Sequence, residues 1–275
     1  MPAGNGKQTR AGNGKQAGSG NGGQAGGSPQ FSVIIPFRDA ESTLPGALAS
    51  LAAQTNPDWE ALVIDDSSRD GSVALVRAAA NDDPRLRLIH DPAQGAPRGV
   101  AATRNIGLAA ARGAYVALLD ADDRWLPEKL EAQHRAFDAG ADIVFSAYRR
   151  VDAQGRSLGE VPARPRVLWA DALAGNPIGA LTGAWRRARF ADARMPVRDL
   201  HEDYAFWLML LRDGAVAHGL PQVLAEYRVA PGSASADKRR AARAVWEILR
   251  DEGLPLPRRS LNFLRYAFGA VLRRL

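Results

Sequence analysis

The sequence predicts an α/β protein with a mostly parallel sheet covered by helices on both faces, and three observations carry that prediction. Between residues 31 and 148, short apolar runs alternate with segments of helical periodicity. The runs are continuous rather than alternating in polarity, as strands buried on both faces require. Acidic and polar residues gather at the carboxyl ends of the runs, where ligands bind in sheets of this kind.

The elements follow in order. Phe31-Ser-Val-Ile-Ile-Pro-Phe37 is a β-branched run suited to a buried strand. Residues 40–55 place Leu44, Leu48 and Leu51 on one helical face. Trp59-Glu-Ala-Leu-Val-Ile-Asp65 reads as a second strand, with a helix over 71–80 after it. Arg85 to His90 is a third strand, 98–112 an Ala-rich helix, and Ala114 to Asp120 a fourth strand. Leu126 to Ala139 reads as a helix with Pro127 in its first turn, and Asp142 to Tyr148 as a fifth strand. Beyond residue 150 the pattern loosens into a Pro-rich loop from Val161, a strand-like Ala180-Leu-Thr-Gly-Ala-Trp185 and a strong helix from Asp203 to Leu211.

Composition narrows the function classes. The chain has 275 residues, 46% of them hydrophobic, enough for one large domain or two small ones. The absence of cysteine excludes disulfides and thiolate-held metals, so any metal needs oxygen or imidazole ligands. No apolar run approaches the roughly 18 residues of a membrane span. The N-terminus is rich in Gly, Asn and Gln rather than apolar, so a cytoplasmic protein is expected. The net charge of +6 is concentrated at the ends, in Lys7, Arg10 and Lys15 and in Arg258, Arg259, Arg265, Arg273 and Arg274. The body between them is close to neutral, so nucleic acid is not an expected partner. Residues 1–30 repeat Ala-Gly-Asn-Gly-Lys-Gln from Ala3 and again from Ala11, and hold too little apolar surface to offset the entropy of ordering. A disordered tail is expected there.

The sharpest chemical feature is Leu118-Leu-Asp-Ala-Asp-Asp123, a buried run that ends in three carboxylates. Clustered carboxylates repel one another and are costly in a partly dry site, and a hard divalent cation relieves that cost. In an extended segment Asp120 and Asp122 project to one side and Asp123 to the other. Asp120 and Asp122 are therefore read as the metal and nucleotide pair, and Asp123 as the cap of the following helix.

Four stretches in matching order and spacing then resemble glycosyltransferase family 2, whose members have the GT-A fold. They are Phe31 to Ala40, Leu62-Val-Ile-Asp-Asp-Ser-Ser-Arg-Asp-Gly-Ser72, Ala102-Thr-Arg-Asn to Tyr115, and Leu119-Asp-Ala-Asp-Asp-Arg-Trp-Leu-Pro127. The resemblance covers roughly residues 31–235. It implies a nucleotide-sugar half over 31–150 and an acceptor half over 151–235; the remainder, 236–275, reads from its own residues as a helical, basic segment. It also implies that Pro36, Phe37 and Arg38 lie under the base and ribose. Asp66 accepts from a base ring N–H, which favours UDP or dTDP. Asp120 binds ribose beside Ala121, and Asp122 binds Mn²⁺ or Mg²⁺. Asp65 orients its turn through Ser67 or Ser68. Arg98, Arg104 and Asn105 approach the nucleotide, and Arg104 is left between reaching phosphate and pairing with a strand-end Asp.

The resemblance further makes Asp203, in His201-Glu-Asp-Tyr-Ala-Phe-Trp207, the general base of an inverting displacement. Without it, Glu202 and Asp203 would only complement a helix N-terminus. Glu202 is expected to support the loop, His201 to be a surface histidine, Trp207 to be core, and Trp125 to shape the cleft. Relatives often carry a His two residues after a Tyr-Arg pair; here Tyr227-Arg-Val-Ala230 departs from that pattern. Tyr227, Arg228 and Ser233 remain candidates for closing over a diphosphate. Residues 259–275 place Leu261, Leu264, Phe268, Val271, Leu272 and Leu275 at helical spacing among arginines. That pattern fits either an interfacial helix on an anionic leaflet or a helix packed on the domain. The expected activity is transfer of a sugar to a glycan or lipid-linked acceptor in cell-envelope synthesis, on the inner face of the membrane. The alternatives are a sugar-nucleotide nucleotidyltransferase, which lacks its Gly-rich loop here, and a non-catalytic binding module.

Overall fold

The computed structural model describes residues 28–90, 96–229 and 237–272. Most of the expected N-terminal tail, together with Ala230 and Ser233, lies outside the described residues.

The strands of the N-terminal part form where they were expected. β1 (Phe31–Phe37) is buried at every position. It pairs in parallel with β2 (Trp59–Asp65), placing Ile34 beside Leu62, and with β4 (Tyr115–Leu118), placing Ile34 beside Leu118. β3 (Leu86–His90) extends the parallel set at the edge. The strand order then runs through β9 (Ala184–Arg186), β6 (Ile143–Val151), β10 (Ala217–Arg228) and β5 (Arg124–Trp125). β7 (Ser157–Val161) flanks β6, and β8 (Arg166–Val167) flanks β10. β6 and β10 are parallel to each other, while β9 is antiparallel to both β4 and β6. One sheet therefore runs through residues both before and after 150.

Helices cover both faces. α1 (Leu44–Ala52), α2 (Ser72–Asp82), α3 (Val100–Ala110) and α4 (Lys129–Asp138) alternate with the strands. α5 (Trp169–Ala172), α6 (Glu202–Arg212), α7 (Lys238–Asp251) and α8 (Leu256–Leu272) complete the later part. Alternation along β1 splits the core in two. Ile34 joins Leu62, Leu118, Trp185 and the buried face of α6, whereas Val33 and Ile35 join Leu44, Leu48 and Leu51 of α1. Each of these fully buried aliphatic side chains contributes about 1.5–3 kcal/mol of transfer free energy. α3 lies close against the sheet because Gly107 has no Cβ; one built there would sit 2.8 Å from Ile34 Cγ2. Among the described residues no helix is long and apolar enough to cross a membrane.

Two elements differ from the sequence reading. The expected strand over 180–185 splits into a 3-10 turn, Ala180–Thr182, and the short β9. Its Thr182 carbonyl is taken by side chains, Lys129 Nζ at 3.1 Å and Gln133 Nε2 at 2.9 Å, rather than by a strand partner. β10 was not expected as a strand; Gly219 and Pro221 interrupt its pattern. Pro221 is accommodated at a register shift between Leu220 and Val223, where the ladder needs no N–H from it.

Candidate active site

A pocket of 530 Å³ opens at the carboxyl ends of β1 and β4. Pro36, Phe37 and Arg38 line it from the end of β1, Asp66 from the turn after β2, and Asp120, Ala121 and Asp122 from the turn after β4. Seven of the predicted nucleotide and metal residues thus share one cavity. Val100 and Thr103 of α3, and Arg228 at the end of β10, close the remaining sides.

The floor is built from two cross-linked turns. Asp39 and Ser67 both adopt positive φ, 48° and 65°. The Asp39 N–H donates to Ser68 Oγ at 3.1 Å, and the Arg69 N–H donates to Asp39 Oδ1 at 2.7 Å. Asp65 orients its turn as expected, accepting from the Ser68 N–H at 2.9 Å. Such strained residues persist only where their surroundings over-determine them. Asp66 is buried and accepts the Arg98 N–H at 2.8 Å and the Gly99 N–H at 3.1 Å. The start of α3 is thereby pinned to the pocket, and each Asp66 oxygen keeps a further lone pair for a ligand. Arg98 takes part through its backbone; its side chain is exposed.

The acidic cluster differs from the extended segment expected. Residues 120–123 form a turn closed by the Asp123 N–H on the Asp120 carbonyl at 3.1 Å. Asp120 and Asp122 still face the pocket, and Asp123 turns inward. Asp123 is not a helix cap: α4 begins at Lys129, after β5 has paired with β10. Instead Asp123 Oδ1 accepts the Arg228 N–H at 2.9 Å, while its Oδ2 is buried without a partner among the described residues. Burial, then the charges of Asp120 and Asp122, hold the Asp123 carboxyl well above the usual range. Asp122 is open to solvent at the pocket, yet desolvation and then Asp120 raise its pKa too. The described residues hold no group of three or more acidic or imidazole side chains that could cage a metal by themselves. The donor set fits a hard cation that takes one or two carboxylates and completes its shell from a bound diphosphate.

Arg104 resolves in favour of the strand-end Asp. Its guanidinium, 2% exposed, donates to Asp120 Oδ1 at 2.5 Å and to Glu202 Oε1 at 2.9 Å. These two carboxylates hold the Arg104 pKa above its ordinary value against the effect of burial. The side chain stands behind the pocket wall and does not line it. Asn105 is also turned away: its amide exchanges two hydrogen bonds with the Met195 backbone, at 2.9 and 2.8 Å. Trp125 is core rather than cleft, 3% exposed with Nε1 donating to the Leu181 carbonyl at 2.8 Å. Trp207 is fully buried, as expected.

α6 carries Glu202 and Asp203 in its first turn, where acidic side chains suit the helix dipole, and buries Tyr204, Phe206, Trp207 and Leu208. Asp203 lies outside the pocket lining but within the field of Arg104 and Asp120. Burial raises its pKa and Arg104 opposes the rise. Asn176 Nδ2 donates to Asp203 Oδ2 at 2.8 Å. His201 is not a surface histidine. It is half-buried at φ 59°, its Nε2 has no partner among the described residues, and burial lowers its pKa. Tyr227 is pushed up to about 12 by burial and then by Asp123, Asp122 and Asp120.

Sequence reasoning missed Val100, Thr103, Asn176 and the joining of Asp120 to Glu202. Helical spacing put Val100 and Thr103 on one face, but nothing marked that face as the pocket side. Asn176 lies in a Gly-Asn-Pro turn that carries no ligand signature.

Comparison with known proteins places this geometry. The model of the family described as Glycosyl transferase family 2 matches residues 32–190. A Bacillus subtilis protein assigned to teichuronic acid biosynthesis as a glycosyltransferase, TuaG, is 33% identical over 250 residues, 90% of this chain and 98% of that one. The Escherichia coli UDP-Glc:alpha-D-GlcNAc-diphosphoundecaprenol beta-1,3-glucosyltransferase WfgD is 29% identical over 223 residues, 80% of this chain and 85% of its own. Among solved structures, S. aureus TarS in complex with UDP-GlcNAc superposes with a TM-score of 0.66 at 21% identity, over 86% of this chain and 71% of that one. The mannosyltransferase PcManGT from Pyrobaculum calidifontis, in complex with GDP-Man and Mn²⁺, gives 0.66 at 22%, over 87% and 69%. The shared architecture is the GT-A fold, and the chain belongs to glycosyltransferase family 2.

Proposed function

We propose that this glycosyltransferase moves a sugar from a nucleoside diphosphate to a hydroxyl of a lipid-linked or growing cell-envelope glycan, inverting the anomeric centre. The carrying observation is the buried Arg104, which ties Asp120 of the donor pocket to Glu202, the neighbour of Asp203. A donor site tied by one guanidinium to the neighbour of a candidate base fits a single displacement between two bound substrates. The acceptor class is supported by the names of TuaG and WfgD.

Residues 31–150 carry most of the donor pocket, which Arg228 closes, and the rest of residues 151–235 serves the acceptor. Phe37, Arg38 and Asp66 seat the base, and the free lone pairs of Asp66 favour a ring N–H donor, hence UDP or dTDP. Asp120, fixed by Arg104, holds the ribose. Asp122 would hold Mn²⁺ or Mg²⁺, which would supply charge stabilisation to the departing diphosphate. Asp203 takes the acceptor proton, and its raised pKa brings it closer to the working range of a base. Arg228 faces the same pocket and suits a diphosphate oxygen. The protein works at the inner face of the membrane.

Titration with UDP, dTDP and GDP, with and without Mn²⁺, tests the reading. Asp122→Ala loses the metal-dependent part of UDP binding. Asp203→Asn keeps it, while transfer falls by about 10²–10⁴. Metal-independent UDP binding in the wild type, or transfer by Asp203→Asn within about tenfold of wild type, would overturn the assignment.

A further inference from the structure

α8 resolves the two readings left open for the C-terminal segment, because it has both faces. Its inner face packs on the body. Asn262 is buried, Phe263 meets Trp246 edge-on at 5.4 Å, and Arg259 lies 4.8 Å from the centre of the Trp246 ring. Its outer face is unpartnered among the described residues. Leu261, Leu264 and Phe268 are 51%, 64% and 67% exposed and recur at i, i+3 and i+7, with the exposed Arg265 in the same stripe. Of the eight large apolar side chains exposed among the described residues, four lie on α8, counting Leu256. Scattered exposed leucines need no explanation, but a stripe on one helix does.

Charge selects the occupant. Residues 258–275 hold five arginines and no acid; of those described, Arg258 and Arg259 lie over Trp169 and Trp246 of the body, and Arg265 stands in the exposed stripe. A second copy docking through this face by two-fold symmetry would bring Arg265 toward its own copy with no acid of residues 258–275 to offset the charge. An anionic bilayer takes the apolar side chains and neutralises the arginines together, the two-signal arrangement that interfacial helices use. Position adds a second observation. Gly175, at φ 139°, lies against the Tyr266 ring of α8, where an added Cβ would be 3.5 Å from Cδ2. The next residue, Asn176, holds Asp203, and Tyr204 Oη donates to the Ala172 carbonyl at 2.8 Å. Loop 172–176 therefore bridges α8 and the start of α6.

We propose that the outer face of α8 docks on an anionic membrane surface, bringing loop 172–176 and the Asp203 edge to the lipid–water boundary where a lipid-linked hydroxyl is presented. The docking stands on α8 alone; the presentation of the acceptor rests on the function proposed above.

The absence of cysteine allows single labels. Leu264→Cys, Ala174→Cys and Asp82→Cys, the last on α2 beside β3, carry an environment-sensitive fluorophore in the full chain. Vesicles of phosphatidylglycerol with phosphatidylcholine are compared with pure phosphatidylcholine. Position 264 shifts strongly to the blue on anionic vesicles, position 174 shifts partly, and position 82 does not. Phe268→Glu, at an exposed site, weakens co-sedimentation with anionic vesicles by about tenfold or more. Arg265→Gln weakens it roughly fivefold on anionic vesicles and leaves the weak zwitterionic binding unchanged. No binding by the wild type, binding indifferent to Phe268→Glu, or a dimer in sedimentation velocity that Phe268→Glu splits would each overturn the docking. A label at 174 that behaves like the one at 82 would overturn the placement of the acceptor edge. UDP affinity is measured on the same samples. Its loss would count against the proposed function, and vesicle binding would stand.

Discussion

Replacing Arg104 with Met keeps most of the volume and removes the charge that Asp120 and Glu202 share. The guanidinium is 2% exposed, Glu202 13% and Asp120 30%. Removing one partner of a fully buried ion pair costs about 3–5 kcal/mol, because the other charge is left stranded. Asp120 regains some hydration through the pocket, so the lower end applies, about 3 kcal/mol. For a chain of this size that is a fall in Tm of roughly 6–12 °C. The loss depends on pH in a defined direction. Burial raises the folded pKa of Glu202, and Arg104 opposes the rise. A carboxyl with a raised folded pKa favours folding at low pH and loses that contribution as pH rises through the folded value. Without Arg104 the rise is larger, so the gap between variant and wild type widens from about pH 4 to about pH 7. Urea unfolding at both pH values measures it, and the double variant with Glu202→Gln should recover part of the loss at neutral pH. A deficit under about 1 kcal/mol at pH 7, or one equal at both pH values, would refute the account of Arg104 as a shared counter-ion.

Lys129→Met tests the opposite case. Lys129 is fully buried, its Nζ donates to the Thr182 carbonyl and sits 4.6 Å above the Trp125 ring, and desolvation holds its pKa well below the ordinary value. A depressed lysine costs stability wherever the unfolded chain is protonated, so wild-type Tm should climb from neutral pH toward about pH 10. Lys129→Met should match or exceed wild type at about pH 6 and lose that climb, since Gln133 still serves Thr182. Parallel pH–Tm curves for the two proteins would contradict this. The acid limb of kcat/KM should break above the ordinary aspartate value because burial raises Asp203, and Arg104→Met should move the break higher still. A break at the ordinary value, or one unmoved by Arg104→Met, would point to another base.

The parts of the fold legible in the sequence are those where one local signal decides. β1 and β2 are buried on both faces, so a continuous apolar run suffices to place them. Where a side chain from elsewhere captures a backbone group the signal fails, as Lys129 and Gln133 do at Thr182. Alternation put Asp120 and Asp122 on the pocket side although the segment is a turn rather than a strand; the same logic misread Asp123, whose partner is the backbone of Arg228, 105 residues on. The even choice over Arg104 could not be broken from sequence, since Asp120 lies 16 residues away and Glu202 98. Family membership removes the nucleotidyltransferase alternative.

The network around Arg104 is a poor way to stabilise a protein. Three apolar side chains of similar volume would pack there without desolvating a guanidinium and two carboxylates, and such replacements are often neutral or stabilising. Stability alone therefore does not account for the charges. Geometry does. Asp120 stands in the turn after β4 and Glu202 opens α6, so apolar packing would let the two slide by fractions of an ångström. A planar guanidinium with fixed donor directions does not permit that sliding. It sets the distance from the Asp120 carboxylate to the first turn of α6, and Asp203 is the next residue of that turn. Misplacement by about 1 Å can cost two orders of magnitude in rate, about 2.8 kcal/mol of barrier, comparable in size with the folding contribution of the network. Glu202→Gln should consequently lower kcat more than it lowers Tm would imply, with donor KM little changed, because it loosens the base without emptying the donor pocket.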